Sequence, residues 1–159
     1  MFAGLGAEFG MPVNRPIEIN TIDTFVTALG AGRLWVAADS TDRAVGFALV
    51  SEVDGHAHLE ELDVLPEHCR RGLGSELVET ACAWAREVGS ECVTLSTFRD
   101  VPWNREFYEY CGFRVVQPSE LTPGLRHIVE IEGAKGLNTK LRVVMGRDLT
   151  CERGRSWDS

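Results

Sequence analysis

Lysine is nearly missing from this chain. Of its sixteen basic residues only Lys135 and Lys140 are lysines, which an arginine-rich coding bias explains. Bases as a whole are scarce beside acids, 16 against 24, giving a formal net charge of −8 and a pI of about 5.0. A field of that sign repels nucleic acid, anionic lipid and acidic ligands and favours cationic ones, without forbidding a local basic site. No apolar run approaches the roughly 20 residues of a membrane span. The opening Met1-Phe2-Ala3-Gly4 has no basic segment followed by an apolar one, so no signal peptide is expected. The five cysteines (Cys69, Cys82, Cys92, Cys111 and Cys151) are odd in number and include no C-x-x-C. That pattern argues for reduced, cytoplasmic thiols and against a disulfide framework or a zinc site. Repeats and low-complexity linkers are absent too. Together these gaps argue against a membrane protein, a disordered chain, a general nucleic-acid binder and a metal site.

What remains is a chain of 159 residues, 44% hydrophobic, enough for one domain with a real core. That domain is expected over residues 1–150, with 151–159 a frayed tail. A helix is expected from about Thr21, with Asn20 as N-cap, to Gly30 or Gly32. Strands follow over residues 33–38, 44–53 and 56–65, the last two joined by the hairpin signal Asp54-Gly55. The apolar period then changes: Leu73, Leu77, Val78, Ala81, Trp84, Ala85 and Val88 fall at helical spacing, and Gly89 stops the helix. A strand over 92–97, a helix over 104–111, a strand over 113–117, a helix over 123–135 and a strand over 141–149 complete the pattern. The fold class is α/β, with a mixed, mostly antiparallel sheet of about six strands flanked by helices. The strand-helix-strand run over 56–97 predicts a parallel crossover.

The informative stretch is Pro66-Glu67-His68-Cys69-Arg70-Arg71-Gly72-Leu73-Gly74-Ser75, between a strand end and a helix start. A helix N-terminus presents unpaired N–H groups and a positive dipole end, so it receives anions. Gly72 and Gly74 permit close approach, and Arg70 and Arg71 add cationic donors, so a pyrophosphate would fit. Alone, a G-x-G is weak evidence, and a simple tight turn is the preferred reading. It is neither a P-loop nor the dinucleotide fingerprint, since G-x-x-x-x-G-K-[ST] and the third glycine are both missing.

The order Leu62-Asp63-Val64-x-Pro66-Glu67, then Arg70-Arg71-Gly72-Leu73-Gly74 and a long helix, resembles a motif of the GNAT N-acetyltransferases. A second stretch, Asn104 with Phe107-Tyr108-Glu109-x-x-Gly112-Phe113, resembles that family's later signature. The two span roughly residues 33–117 in the expected order. The resemblance implies a GNAT-like sheet and acetyl-CoA as co-substrate, its acetyl group moving to a primary amine. It implies cofactor contacts from Leu62, Asp63, Val64, Arg70, Arg71, Gly72, Leu73, Gly74, Ser75, Asn104 and Phe107. Three features depart from the pattern. Cys69 stands where a Gln or Arg is usual. Asn104 lies four residues before Tyr108, where seven is common. No strand-like run precedes the first helix, so the first family strand is expected to be missing, leaving a sheet edge that a second copy could cover in a homodimer.

Acetyl transfer needs a deprotonated amine, an oxyanion stabiliser and a proton for the departing thiolate. On the third strand His56, His58, Glu60, Leu62 and Val64 share one face. In a family member that this strand resembles, histidines on the matching face line the acceptor site. Glu60 is therefore the first candidate for general base, through a water, and His58 the second; a solvated sheet face is the plainer reading of the pair Glu60-Glu61, and is preferred for Glu61. His56, His68 and His127 read as surface residues. Backbone groups of Leu62 to Val64 would run beside the pantetheine arm, where an N–H can polarise the thioester carbonyl. Tyr108 is the candidate general acid, since a phenol is protonated at neutral pH; packing as a core aromatic beside Phe107 is its plainer reading. Trp35, Phe98 and Trp103 are candidates for an apolar acceptor wall, or for core.

Residues 51–67 hold six acids and no Lys or Arg, with two arginines directly after, which suits a cationic acceptor and an anionic cofactor. Three functions compete. One is an N-acetyltransferase acting by direct attack, with a small-molecule amine favoured over a peptide amine. Another is a catalytically silent module that binds CoA or acyl-CoA. The last is a structural domain whose glycine loop is only a turn.

Overall fold

The computed structural model describes residues 21–69, 71–98, 102–134 and 142–150. Its elements follow the local chemistry closely. Helix α1 (Ile22–Gly30) is capped by Thr21, whose hydroxyl accepts from the Thr24 N–H at 3.3 Å, one residue later than the expected cap at Asn20. Strands β1 (Leu34–Ala38) and β2 (Ala44–Val53) are antiparallel, with Leu34 opposite Leu49 and Val36 opposite Phe47. The turn between them is built on Asp39, whose Oδ1 accepts from the Thr41 and Arg43 N–H groups at 2.8 and 3.0 Å. β3 (His56–Val64) follows through Asp54-Gly55, both with positive φ, as a tight hairpin requires.

Helix α2 (Leu73–Glu87) ends at Gly89, φ +83°, and leads to β4 (Cys92–Phe98). The expected crossover is present: β3 and β4 are parallel, pairing Ala57 with Val93, His58 with Thr94 and Leu59 with Leu95. Helix α3 (Pro102–Tyr110) starts two residues before the expected position, with proline at a first-turn position where its missing N–H costs nothing. The strand expected over 113–117 is the short β5 (Arg114–Val115). Helix α4 (Pro123–Ala134) and β6 (Arg142–Asp148) are the last elements among the described residues. The six strands form one mixed sheet in the order β1-β2-β3-β4-β6-β5. The N-terminal region that prompted the expectation of a missing strand, and the tail beyond residue 150, lie outside the described residues.

Two compact units divide the chain, one of Met1–Val50 and Glu61–Ala81, the other of Ser51–Glu60 and Cys82–Ser159. In the first, Val45, Ala48, Leu49 and Val50 of β2 are buried, with Leu77 and Val78 of α2 and Ala28 of α1. Gly46 is fixed by sterics: a Cβ there would stand 2.9 Å from the Asp63 carbonyl and 3.2 Å from Val64. In the second, Val93, Leu95, Phe113, Leu125, Val144, Met145 and Leu149 are buried. Ser90, itself buried, accepts from the Ala57 N–H at 2.9 Å and donates to the Cys92 carbonyl at 2.7 Å, tying the starts of β3 and β4 together. Among the described residues no helix is long and apolar enough to cross a membrane.

Candidate functional site

In the first unit the glycine stretch behaves as a helix entry. Gly72 has φ +81°, a left-handed backbone that glycine adopts without strain, and open space where a Cβ would stand. Torsion, not crowding, therefore calls for glycine here. The first helical bond of α2 runs from the Glu76 N–H to the Gly72 carbonyl at 3.0 Å. The N–H groups of Leu73, Gly74 and Ser75 thus precede the helical ladder and point out of the N-terminus with the positive end of the dipole. The Ser75 hydroxyl donates to the Gly72 carbonyl at 3.0 Å, so its side chain steadies the turn. Arg71 is exposed, and Arg70 lies outside the described residues. The Cys69 thiol donates to the Val64 carbonyl at 3.6 Å, tying the loop to the end of β3. Leu62 is buried and Asp63 and Val64 half-buried.

In the second unit a cavity of about 240 Å³ is lined by His58, Leu59 and Glu60 of β3, Ser96 of β4, Ile128 and Ile131 of α4, and Arg142 of β6. It opens immediately past the last β3–β4 pair, Leu59 with Leu95. His58 is only 3% exposed, and its Nδ1 lies 2.8 Å from the Thr94 hydroxyl on the paired strand. Burial lowers its pKa, and the nearby Glu60 carboxylate only partly opposes that, so the imidazole is neutral at neutral pH. Glu60 is exposed, and its carboxylate accepts from the Ser51 hydroxyl across the hairpin at 2.7 Å. The Arg142 guanidinium is half-buried and donates to Ser96 twice, Nε to the hydroxyl at 3.2 Å and Nη2 to the carbonyl at 3.0 Å.

The wall formed by α4 is anchored at its start. The Asp54 carboxylate, at the tip of the β2–β3 hairpin, accepts from the Gly124 N–H at 2.8 Å. The Thr122 hydroxyl and that N–H together hold the Asp54 carboxyl below the usual carboxylate range. A Cβ at residue 124 would stand 2.7 Å from the side chains of both Asp54 and Val53, so any larger residue would force them to shift.

On α3, Tyr108 is 5% exposed, edge-on to Phe107 at 5.1 Å and to Phe113 at 5.9 Å between ring centroids. Burial pushes its phenol well above the usual range, Cys111 adds to that shift and the Arg142 cation opposes it. The phenol therefore keeps its proton at any physiological pH. Asn104, 8% exposed, has its Nδ2 buried with no hydrogen-bond partner among the described residues.

The structure thus brings His58 and Glu60 to one cavity and sets Tyr108 and Asn104 on one helix. Trp35 does not line that cavity; Leu59, Ile128 and Ile131 supply its apolar wall instead. The side chains of Phe98 and Trp103 fall outside the described residues. His56 and His68, expected at the surface, are half-buried, while His127 is exposed as expected. Sequence reasoning missed Thr94, Ser96 and Arg142. The available signals were weak: a threonine and a serine inside an apolar strand, and an arginine opening another.

The sequence matches the acetyltransferase (GNAT) family over residues 7–113. Its fold is similar to that of a GNAT-family acetyltransferase from Staphylococcus aureus Mu50, with 16% identity, a TM-score of 0.71, and 94% of this chain and 88% of that chain covered. It is also similar to Chaetomium thermophilum Naa20 in complex with a bisubstrate analogue, with 17% identity, a TM-score of 0.63, and coverage of 89% and 81%. A Bacillus anthracis protein assigned as a streptothricin acetyltransferase, in complex with acetyl coenzyme A, matches at 21% identity and a TM-score of 0.58. There 72% of this chain is covered, and the chain spans 61% of the length of that protein.

Proposed function

Since the chain belongs to the GNAT acetyltransferase family, we propose that it transfers the acetyl group of acetyl-CoA to a primary amine by direct attack, with a small-molecule acceptor favoured over a peptide. The observation that carries this reading is the cavity that collects His58 and Glu60 beside an apolar wall. Its volume of about 240 Å³ lies below the roughly 300–1,000 Å³ of sites for drug-sized molecules, which suits a small acceptor. The family match runs through both compact units, and residues 1–150 are proposed to work as one acetyltransferase domain.

Residues of the chain fit CoA on two counts. Asn104 offers a buried amide donor without a partner among the described residues, and the N-terminus of α2 offers backbone donors behind a glycine with open space around it. We assign the diphosphate to the N–H groups of Leu73, Gly74 and Ser75, with Gly72 at the turn and Arg70 and Arg71 as cationic donors. Backbone groups of Leu62, Asp63 and Val64 and the side chains of Asn104 and Phe107 are assigned to the pantetheine arm. Acetyl-CoA supplies the acetyl group as an activated thioester.

The protein's own part is proton movement and orientation. Glu60, its carboxylate oriented by Ser51, takes a proton from the acceptor ammonium, directly or through one water. Neutral His58 is the second acceptor. The role calls for the tautomer in which Nδ1–H donates to the Thr94 hydroxyl 2.8 Å away, so that Nε2 keeps its lone pair. Tyr108 holds a proton for the departing sulfur.

Two measurements test the reading. Saturating acetyl-CoA should raise the melting temperature, and an amine panel should release thiol. Stabilisation without thiol release would favour the silent CoA-binding module, whose motive is Cys69 at a usual Gln or Arg position. No stabilisation would leave the glycine loop as only a turn.

A further inference from the structure

One face of α4 runs from the core into the candidate acceptor cavity. Leu125, Ile128 and Ile131 follow one another at intervals of three residues, so they lie along one side of the helix. Their burial falls along that line: Leu125 is buried, Ile128 is half-buried and Ile131 is 36% exposed. The first belongs to the core. The other two line the cavity, where Leu59 of β3 adds a third aliphatic side chain. An exposed isoleucine on such a wall is stabilised when an apolar group covers it. The negative charge lies on β3. The Glu60 carboxylate, oriented by the Ser51 hydroxyl at 2.7 Å, lines the same cavity, and burial keeps the neighbouring His58 ring neutral at neutral pH. Arg142 is bonded through Nε and Nη2 to Ser96, and both belong to the fabric of the wall. The lining thus combines an anionic surface from β3 with an aliphatic one from α4 and Leu59. Such a cavity is complementary to a molecule with an ammonium group and a hydrocarbon body. A cavity of about 150 Å³ holds a six-carbon ring, so one of about 240 Å³ holds about nine or ten non-hydrogen atoms.

We propose that the acceptor is an aliphatic monoamine of up to about eight carbons, its ammonium at Glu60 and its hydrocarbon chain on Ile128 and Ile131. This rests on the reading of the cavity as the acceptor site of an acetyltransferase. Ile131 then determines specificity: it selects amines by the apolar surface they place on it and takes no proton in the reaction.

The test offers unbranched primary amines, from ethylamine to decylamine, to the intact protein with acetyl-CoA, and measures kcat and KM. The ratio kcat/KM should rise about fourfold for each added methylene and stop rising at about eight carbons. Hexylamine should exceed cadaverine and aminopentanol, which have as many non-hydrogen atoms, by about tenfold or more, because each of these sets a second polar group against the aliphatic wall. Ile131→Ser should flatten the dependence on chain length. Ile131→Phe, which fills part of the cavity, should shorten the longest chain accepted, and it carries the test if the Ser variant fails to fold. Equal use of short and long amines by the unmodified protein would overturn the proposal. So would better use of the diamine or the amino alcohol, or an unchanged dependence on chain length in both variants. If no amine is acetylated at all, the transferase reading fails by itself. Calorimetric titration of the same amines in the presence of CoA then decides: affinity that rises with chain length and loses that rise in Ile131→Ser supports the aliphatic site. Absent binding, or binding whose dependence on length is nil or unaltered in the variant, overturns it.

Discussion

His58 is nearly fully buried, so charging it in the folded protein costs free energy, and its pKa lies below the ordinary 6.5. Above pH 6.5 the ring is neutral in both folded and unfolded chains, and it contributes no pH dependence. As pH falls below 6.5 the unfolded chain takes up a proton that the folded one resists. Stability therefore falls with decreasing pH from 6.5 down through the lowered folded value. Denaturation at a series of pH values should show that slope, and His58→Asn should flatten it; an unchanged slope in the variant would contradict the buried, neutral assignment. Thr94→Val strands the His58 Nδ1 and should cost about 1–3 kcal/mol in the same measurement. On the proposed mechanism, Glu60→Gln and Tyr108→Phe should each lower kcat by about 10²–10⁴-fold with acetyl-CoA affinity nearly unchanged. If both variants keep the original rate, the proton carriers lie elsewhere.

The joint between the β2–β3 hairpin and helix α4 sets the cavity wall. Asp54 reaches it because Asp54-Gly55 makes a two-residue turn, and Gly124 receives it without the shift of Asp54 and Val53 that a Cβ would force. Gly124→Ala forces a Cβ against Asp54 and Val53, so it should cost about 1–3 kcal/mol and shift Ile128 and Ile131, read as a lower melting temperature together with a higher acceptor KM. A melting temperature equal to that of the original protein would contradict this account of the joint. The hairpin was legible because positive-φ turn residues follow an apolar strand, and α2 because seven apolar residues keep helical spacing up to Gly89. Glu60 and His58 were legible as neighbours on one strand face. Arg142 was not. Its place beside Ser96 comes from β6 lying next to β4 and antiparallel to it, pairing Phe98 with Arg142 and Ser96 with Val144. Local patterning predicts a strand over 141–149, and it does not say which distant strand will be its neighbour. Ile128 and Ile131 show the same limit, since helical spacing says that they share a face and not what that face meets.

For the whole molecule, the net charge of −8 conceals an uneven distribution along the chain: six acids over residues 51–67, then Arg70 and Arg71. An acidic protein can bind an anion when the donors are local and the backbone supplies most of them, as at the N-terminus of α2. Linkage then gives a stability test: acetyl-CoA at about 100 times its Kd should add about 2.7 kcal/mol of stability. Gly72→Val, which strains a left-handed backbone, should weaken that gain by disturbing the turn that aims the donors. Binding alone would equally suit a silent module, so the most direct test of the central claim is product detection. The protein is incubated with acetyl-CoA and a panel of small primary amines, and the mixtures are read by mass spectrometry. The account predicts at least one amine heavier by one acetyl group, formed with an equal amount of free CoA and lost in the Glu60→Gln variant. Absence of any acetylated amine across the panel, from protein that acetyl-CoA still stabilises, would contradict it.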